Sequence, residues 1–231
     1  MLFRSHRLMN GILNLNKPAG ISSAAAVARV KRLLPRRVKI GHAGTLDPFA
    51  TGVLLLLIGK ATKLCEKLMD EKKQYEATVK LGVTTETLDR DSAEVVDADA
   101  KPAAREKIEE VMKKFVGEIQ QRPPVYSALK VAGRAAYARA RGGEEVVLEA
   151  RTVRVYGIEI LRYEWPFVQI RVNCGRGTYI RSLARDIGEE LGTQGYLTEL
   201  KRTAVGRFRI EDAATIERVQ AEEVESFLKQ L

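Results

Sequence analysis

Residues 53–58 read Val-Leu-Leu-Leu-Leu-Ile, six apolar side chains with no polar residue among them. The run is too short to span a bilayer and suits a strand buried on both faces. Ahead of it lies a polar, turn-rich half, GHAGTLDPFATG, residues 41–52. Pro48 pushes the preceding Asp47 away from helical geometry, so the aspartate backbone is expected to be extended and fixed in a loop. Gly41, Gly44 and Gly52 allow tight turning or close approach of a ligand. A carboxylate fixed on a loop against a buried strand suits a nucleophile or a base. It equally suits an ordinary turn in which aspartate caps backbone amides. A phosphate-binding Walker loop is excluded: six residues separate Gly52 from Gly59, and Ala61 follows Lys60 where Ser or Thr is required.

At 231 residues the chain is long enough for one large domain or two small ones. Its net charge of +9 and pI near 9.6 favour a polyanionic partner. Two cysteines (Cys65, Cys174) and two histidines (His6, His42) give neither a metal-ligand spacing nor a disulfide framework. A reducing cytoplasm is the simplest compartment, and the first residues, MLFRSHRLMNG, show no apolar core of a signal or a membrane segment.

Along the chain, GILNLNKPAG (11–20) predicts a short strand entering a turn at Lys17-Pro18. Ser22 is placed to cap a helix reaching about Leu34, with Val27, Val30 and Leu34 on one side and Pro35 stopping it. Arg29, Lys31, Arg32, Arg36, Arg37 and Lys39 follow closely, as a solvated face or as a hold on phosphates. Lys63 to about Lys73 predicts another helix. In YEATVKL the period changes to two, which puts Tyr75, Ala77, Val79 and Leu81 on the covered face. Ile108, Val111, Met112 and Phe115 mark an amphipathic helix. Residues 121–143 are basic and glycine-tipped, with Tyr126 and Tyr137 interleaved: a plain loop-helix-loop, or a segment that orders on RNA. Strands follow at 152–161, with a bulge near Tyr156-Gly157, and at 167–174. A helix with the stripe Ile180, Leu183, Ala184, Ile187 and Leu191 then ends at Gly192. Arg181 falls in its first turn, where a cation costs several tenths of a kcal/mol unless an anion faces it.

The stretch 41–63 resembles the catalytic motif of the TruB family of tRNA pseudouridine synthases, G-H-x-G-T-L-D-P-x-A-x-G-x-L ending G-x-A-T-K. Further landmarks of that family appear in order from residue 11 to about 212. They are the K-P-x-G turn at Lys17, K-x-Y-x-A around Tyr75, and a T-D-T-x-D segment in which Glu86 replaces the first aspartate and Asp89 is kept. Then come P-P-x-Y-S-A-x-K-x-x-G with Lys130, A-R-x-G with Arg141, G-T-Y-I-R with Arg181, and LTELKRTAVGRF with Leu200.

The resemblance implies an α+β fold, a mixed and mostly antiparallel sheet flanked by helices, as a single catalytic domain with an RNA-gripping insertion at about 121–150. It implies isomerisation of uridine 55 in the T loop of tRNA to pseudouridine, with no cofactor, no metal and no membrane, by a monomer. Asp47, Tyr75 and Arg181 would be catalytic, with Arg181 the partner of Asp47. His42, Leu200, Lys17, Asp89, Lys130 and Arg141 would bind substrate or frame the catalytic loop. His42 is read either as filling the space a flipped base leaves or as bridging a turn. Family members usually continue into a small PUA-type domain, and none is expected here because the sequence ends at Leu231. Two other readings remain: a tRNA-binding or tRNA-folding module with secondary catalysis, and a nucleoside glycosidase. The second needs paired carboxylates, and only one convincing carboxylate is found.

Overall fold

The computed structural model describes residues 9–127, 129–131, 134–140, 142–144 and 146–229. They divide into two compact units, residues 1–73 with 201–231, and residues 74–200.

In the first unit the apolar run lies in the strand Thr51–Ile58. Gly11–Lys17 pairs antiparallel along one edge, with Gly11 opposite Ile58 and Lys17 opposite Gly52. Ile40–Ala43 runs antiparallel along the strand as well, and Lys201 and Arg202 pair in parallel with Thr51 and Gly52. A strand bonded on both edges and covered on both faces has no solvent side, so its sequence does not alternate. Ile12, Val53, Leu55, Leu57, Leu68, Val205 and Phe208 form the core of one face. Ala214–Thr215 adds a parallel strand beside Gly11–Lys17.

Ser22 caps the first helix, its side chain accepting from the Ala25 amide, as expected. The helix is shorter than expected, Ser23–Lys31 rather than reaching Leu34. Leu34 precedes a proline and is biased out of helical geometry, and the chain closes instead in a turn from Pro35 to Val38. The helix expected over 63–73 is also different. A 3-10 turn spans Gly59–Leu64, a helix spans Cys65–Asp70, and Lys73 already begins the next strand.

In the second unit Lys73–Leu81 alternates as expected, with Tyr75, Ala77, Val79 and Leu81 inward. The strand order is Lys73–Leu81, Phe167–Cys174, Arg151–Glu164, Gly117–Gln121. The last three pair antiparallel. Arg151–Glu164 is longer than expected, and its register slips between Val155 and Gly157, at the expected bulge, and again between Ile160 and Arg162. Helices Arg105–Lys113 and Ile180–Glu190 bury Ile108, Val111 and Met112, and Ile180, Leu183, Ala184 and Ile187. Gly192 follows the second helix at φ +71°, a left-handed terminus suited to glycine. Each unit is thus a mixed or antiparallel sheet covered by helices, the α+β class expected. No helix among the described residues is long and apolar enough to cross a membrane.

Candidate active site

Asp47 sits in the first unit on the loop between Ile40–Ala43 and Thr51–Ile58. Its side chain is partly exposed, while Leu46, Phe49 and Ala50 around it are buried. Three side chains hold the backbone of this loop. Ser23 donates from Oγ to the Leu46 carbonyl (3.0 Å) and accepts from the Leu46 amide (2.8 Å). Lys17 donates from Nζ to the carbonyls of Pro18 (2.8 Å), Ile21 (2.8 Å) and Pro48 (3.2 Å). Arg202 donates from Nε to Val53 (2.7 Å), from Nη1 to Thr45 (3.3 Å) and from Nη2 to Gly44 (3.0 Å). The carbonyls on either side of Asp47 accept from side chains rather than from a sheet, Leu46 from Ser23 and Pro48 from Lys17, with the Gly20 amide also donating to Pro48 (2.8 Å). Gly52 completes the arrangement at φ +106°, where an added Cβ would lie 2.2 Å from the Arg202 carbonyl. No other residue fits there.

Lys17 is fully buried and Arg202 is 1% exposed. Burial is the main cause that brings the Lys17 ammonium down to about 8. The nearby Asp47 charge opposes the shift and the Arg202 charge adds to it. Lys17 is thus not solvated at the turn: its Nζ is spent on the three loop carbonyls. His42 lies on the strand Ile40–Ala43, so it does not bridge a turn. Its imidazole is pushed down, first by burial and then by Arg202, and its Nδ1 is buried without a hydrogen-bond partner among the described residues. At neutral pH it is an uncharged ring.

In the second unit Arg181 is 3% exposed. Its Nη1 lies 3.2 Å from a carboxylate oxygen of Asp89, itself buried, and donates to the Thr87 carbonyl (2.8 Å). Nη2 donates to the Tyr126 carbonyl (2.8 Å). The other Asp89 oxygen accepts from the Thr87 hydroxyl (2.6 Å) and the Asp91 amide (3.1 Å). Glu86, the departure from the family pattern, accepts from the Tyr126 hydroxyl (2.5 Å). Arg181 thus gathers the segments 85–91 and 123–127, and Asp89 supplies an anion of the kind that a cation at a helix start calls for. Tyr75 is 9% and Leu200 7% exposed. Lys130 lies in the two-residue strand Lys130–Val131, but its side chain and all of Arg141 fall outside the described residues. Among the described residues no group of three His, Cys, Asp or Glu is placed to hold a metal.

Ser23 was not singled out by the sequence, and Arg202 only as a neighbour of Leu200. The signal for Arg202 was present: Leu200, Arg202 and Ala204 alternate along the strand Gly195–Val205, and all three are buried.

Residues 31–180 match the family described as TruB family pseudouridylate synthase (N terminal domain). Residues 181–231 match the tRNA pseudouridylate synthase B C-terminal domain. A tRNA pseudouridine synthase B of Clostridium tetani is 43% identical over 220 residues, covering 95% of this chain and 76% of that protein. One of Phocaeicola vulgatus is 44% identical over 211 residues, covering 89% and 90%. Among solved structures, a chain of a Cbf5-Nop10-Gar1 complex superposes with a TM-score of 0.69 at 36% identity, over 90% of this chain and 52% of that one. The chain thus spans about half the length of that structure's chain and about three quarters of the Clostridium relative.

Proposed function

This chain belongs to the TruB family of pseudouridylate synthases, and on that premise we propose that it converts uridine 55 in the T loop of tRNA to pseudouridine. The relatives' names support pseudouridine formation in tRNA; the position comes from the motif resemblance. The observation that carries the reading is the loop around Asp47. Lys17, Ser23 and Arg202 fix its backbone while the carboxylate stays partly exposed. Such a carboxylate is held in place without a conformational change at the moment of reaction.

In this reading the target uridine is flipped from the folded loop, at a cost of a few kcal/mol. The N-glycosidic bond breaks, the base rotates and a carbon–carbon bond forms. Reactant and product are isomers, so the step needs no oxidant, donor or energy source. Asp47 acts on the ribose as nucleophile or as base, and Tyr75 lies against the base. Arg181 is the cation that the family motif assigns to the aspartate. His42, uncharged and partly buried, suits the space the base vacates, since a neutral ring stacks without carrying charge into the RNA. Leu200 lines the wall, and Lys17 and Asp89 hold backbone and guanidinium respectively. Lys130 and Arg141 grip RNA from the segment 121–150. The chain acts as a monomeric catalytic domain on the T-arm stem-loop, in the cytoplasm.

The test is to incubate the protein with unmodified tRNA and map new pseudouridines. Asp47→Asn should lower turnover by several orders of magnitude and leave tRNA binding nearly intact, because the amide is almost isosteric yet neither nucleophile nor base. Normal turnover in Asp47→Asn would remove the aspartate from the mechanism.

A further inference from the structure

Of the 39 lysines and arginines, nine lie in residues 1–46, which contain no aspartate or glutamate. The rest of the chain holds thirty basic and thirty acidic residues, so the whole net charge of +9 belongs to its first fifth. Six of the nine fall between residues 29 and 39.

That segment is built rather than loose. Leu33 and Leu34 donate to the carbonyls of Val30 and Lys31, and Val38 donates to Pro35. Leu34 is buried beneath the turn. Lys31 reaches across with Nζ to the carbonyls of Arg36 and Val38, tying the turn shut from within. Outside it, Arg29, Arg32, Arg36, Arg37 and Lys39 are all exposed. Among the described residues none of these five has a carboxylate partner. In the second unit several surface cations are paired with carboxylates, although Arg90, Lys101, Lys113 and Arg151 are exposed without an ion-pair partner among the described residues. Arg105 pairs with Glu109, Lys107 with Glu110, Lys114 with Glu190, and Arg171 with Glu76 and Glu159.

A helix end attracts cations through its dipole, which accounts for Arg29 and Arg32 but not for Arg36, Arg37 and Lys39 beyond it. Like charges held together repel, and an internally tied turn cannot spread to relieve them. An anion opposite them would. Phosphates along a nucleic-acid backbone are the anions spaced to meet several such cations at once.

We propose that residues 29–39 form a phosphate-binding surface that grips the sugar–phosphate backbone of tRNA outside the reacting nucleotide. The inference rests on tRNA being the substrate. The strand Ile40–Ala43 separates Lys39 from Gly44 by about 13 Å at the usual rise, which is longer than the Lys39 side chain and sets that end of the surface apart from the nucleotide at Asp47. The surface therefore contributes affinity and leaves the chemical step alone.

The test compares two triple variants that remove the same charge. Arg36→Gln/Arg37→Gln/Lys39→Gln should weaken tRNA binding about tenfold or more near physiological salt. It should lower the slope of log affinity against log salt by about two to three, with kcat at saturating tRNA unchanged. Arg105→Gln/Lys107→Gln/Lys114→Gln should leave affinity and slope at the parent's values. Parent-like affinity and slope in the first variant overturn the proposal, as does equal weakening in both, which would mean net charge alone. A parent that binds tRNA through this surface but forms no pseudouridine would sustain the surface and defeat the functional reading. A parent that binds no tRNA defeats both.

Discussion

Arg202 and Arg181 are both almost wholly buried, one in each unit, and each ties loop carbonyls together, Arg181 beside a carboxylate of its own unit as well. Arg181 lies against a carboxylate, Asp89, with the carbonyls of Thr87 and Tyr126 beside it. Arg202 is spread over the carbonyls of Gly44, Thr45 and Val53. The Arg202 charge is felt nearby: after burial, it lowers both Lys17 and His42. The first unit thus keeps positive charge near the loop that presents Asp47. In the second unit the same residue type, met by an anion, organises two chain segments instead.

The largest effect expected from this contrast is in stability. Arg181→Met leaves the Asp89 carboxylate buried without its cation and should cost about 3–5 kcal/mol. Adding Asp89→Asn removes the stranded charge and should recover at least half of the loss. Chemical denaturation of the parent, both single variants and the double variant gives the coupling directly. Additive losses would show that the ion pair is not what holds Arg181, and the contrast between the two arginines would fail.

The next effect tests the first unit through pH. The Lys17 pKa is about 8 in the folded chain and near its ordinary 10.5 when unfolded. Between these values the unfolded chain binds more protons, so the stability due to this group rises with pH from about 8 to 10.5, by about 3 kcal/mol in all. Turnover should move the other way. A neutral amine has two hydrogens for the three carbonyls that Nζ now serves, and Asp47 loses a nearby positive charge. We expect kcat to fall above about pH 8 while stability relative to Lys17→Met increases. If neither changes between about pH 8 and 10, Lys17 is titrating as an exposed lysine would.

Much of this architecture is legible in the sequence, and the parts that are not share a cause. The alternation in YEATVKL predicts the inward face of its strand, as observed, and the stripe from Ile180 predicts the second unit's helix. Those signals work because apolar side chains repeat with the period of the element that buries them. Lys17 and Arg202 also sit on inward positions, after Leu13 and Leu15 in one strand and after Leu200 in the other. Their charge masks this, because lysine and arginine normally face water. What makes them tolerable inside is a set of loop carbonyls, supplied by turn residues that follow no period. The early end of the first helix has the same character: it depends on a proline turn closed by Lys31, not on hydrophobic spacing.

The smallest expected effect separates geometry from charge at Arg202. Arg202→Lys keeps the positive charge but replaces a planar fork by a single ammonium, which cannot reach the directions of Gly44, Thr45 and Val53 together. At least one buried carbonyl then loses its donor, at a cost of about 2 kcal/mol. If Arg202 positions the loop, kcat should fall tenfold or more with KM little changed, since the substrate-binding surface is intact and only the placement of Asp47 is disturbed. A variant that is merely less stable would recover full kcat at low temperature, and that outcome would reduce Arg202 to packing. His42 supplies a second reading of the same pair of variants. Burial is the larger cause of its low pKa and Arg202 the smaller. In Arg202→Gln the His42 titration followed by NMR should move up towards 6.5, while in Arg202→Lys it should stay low. Equal shifts in both would mean that the field at the loop comes from elsewhere, and Arg202 would then act on the loop through its geometry alone.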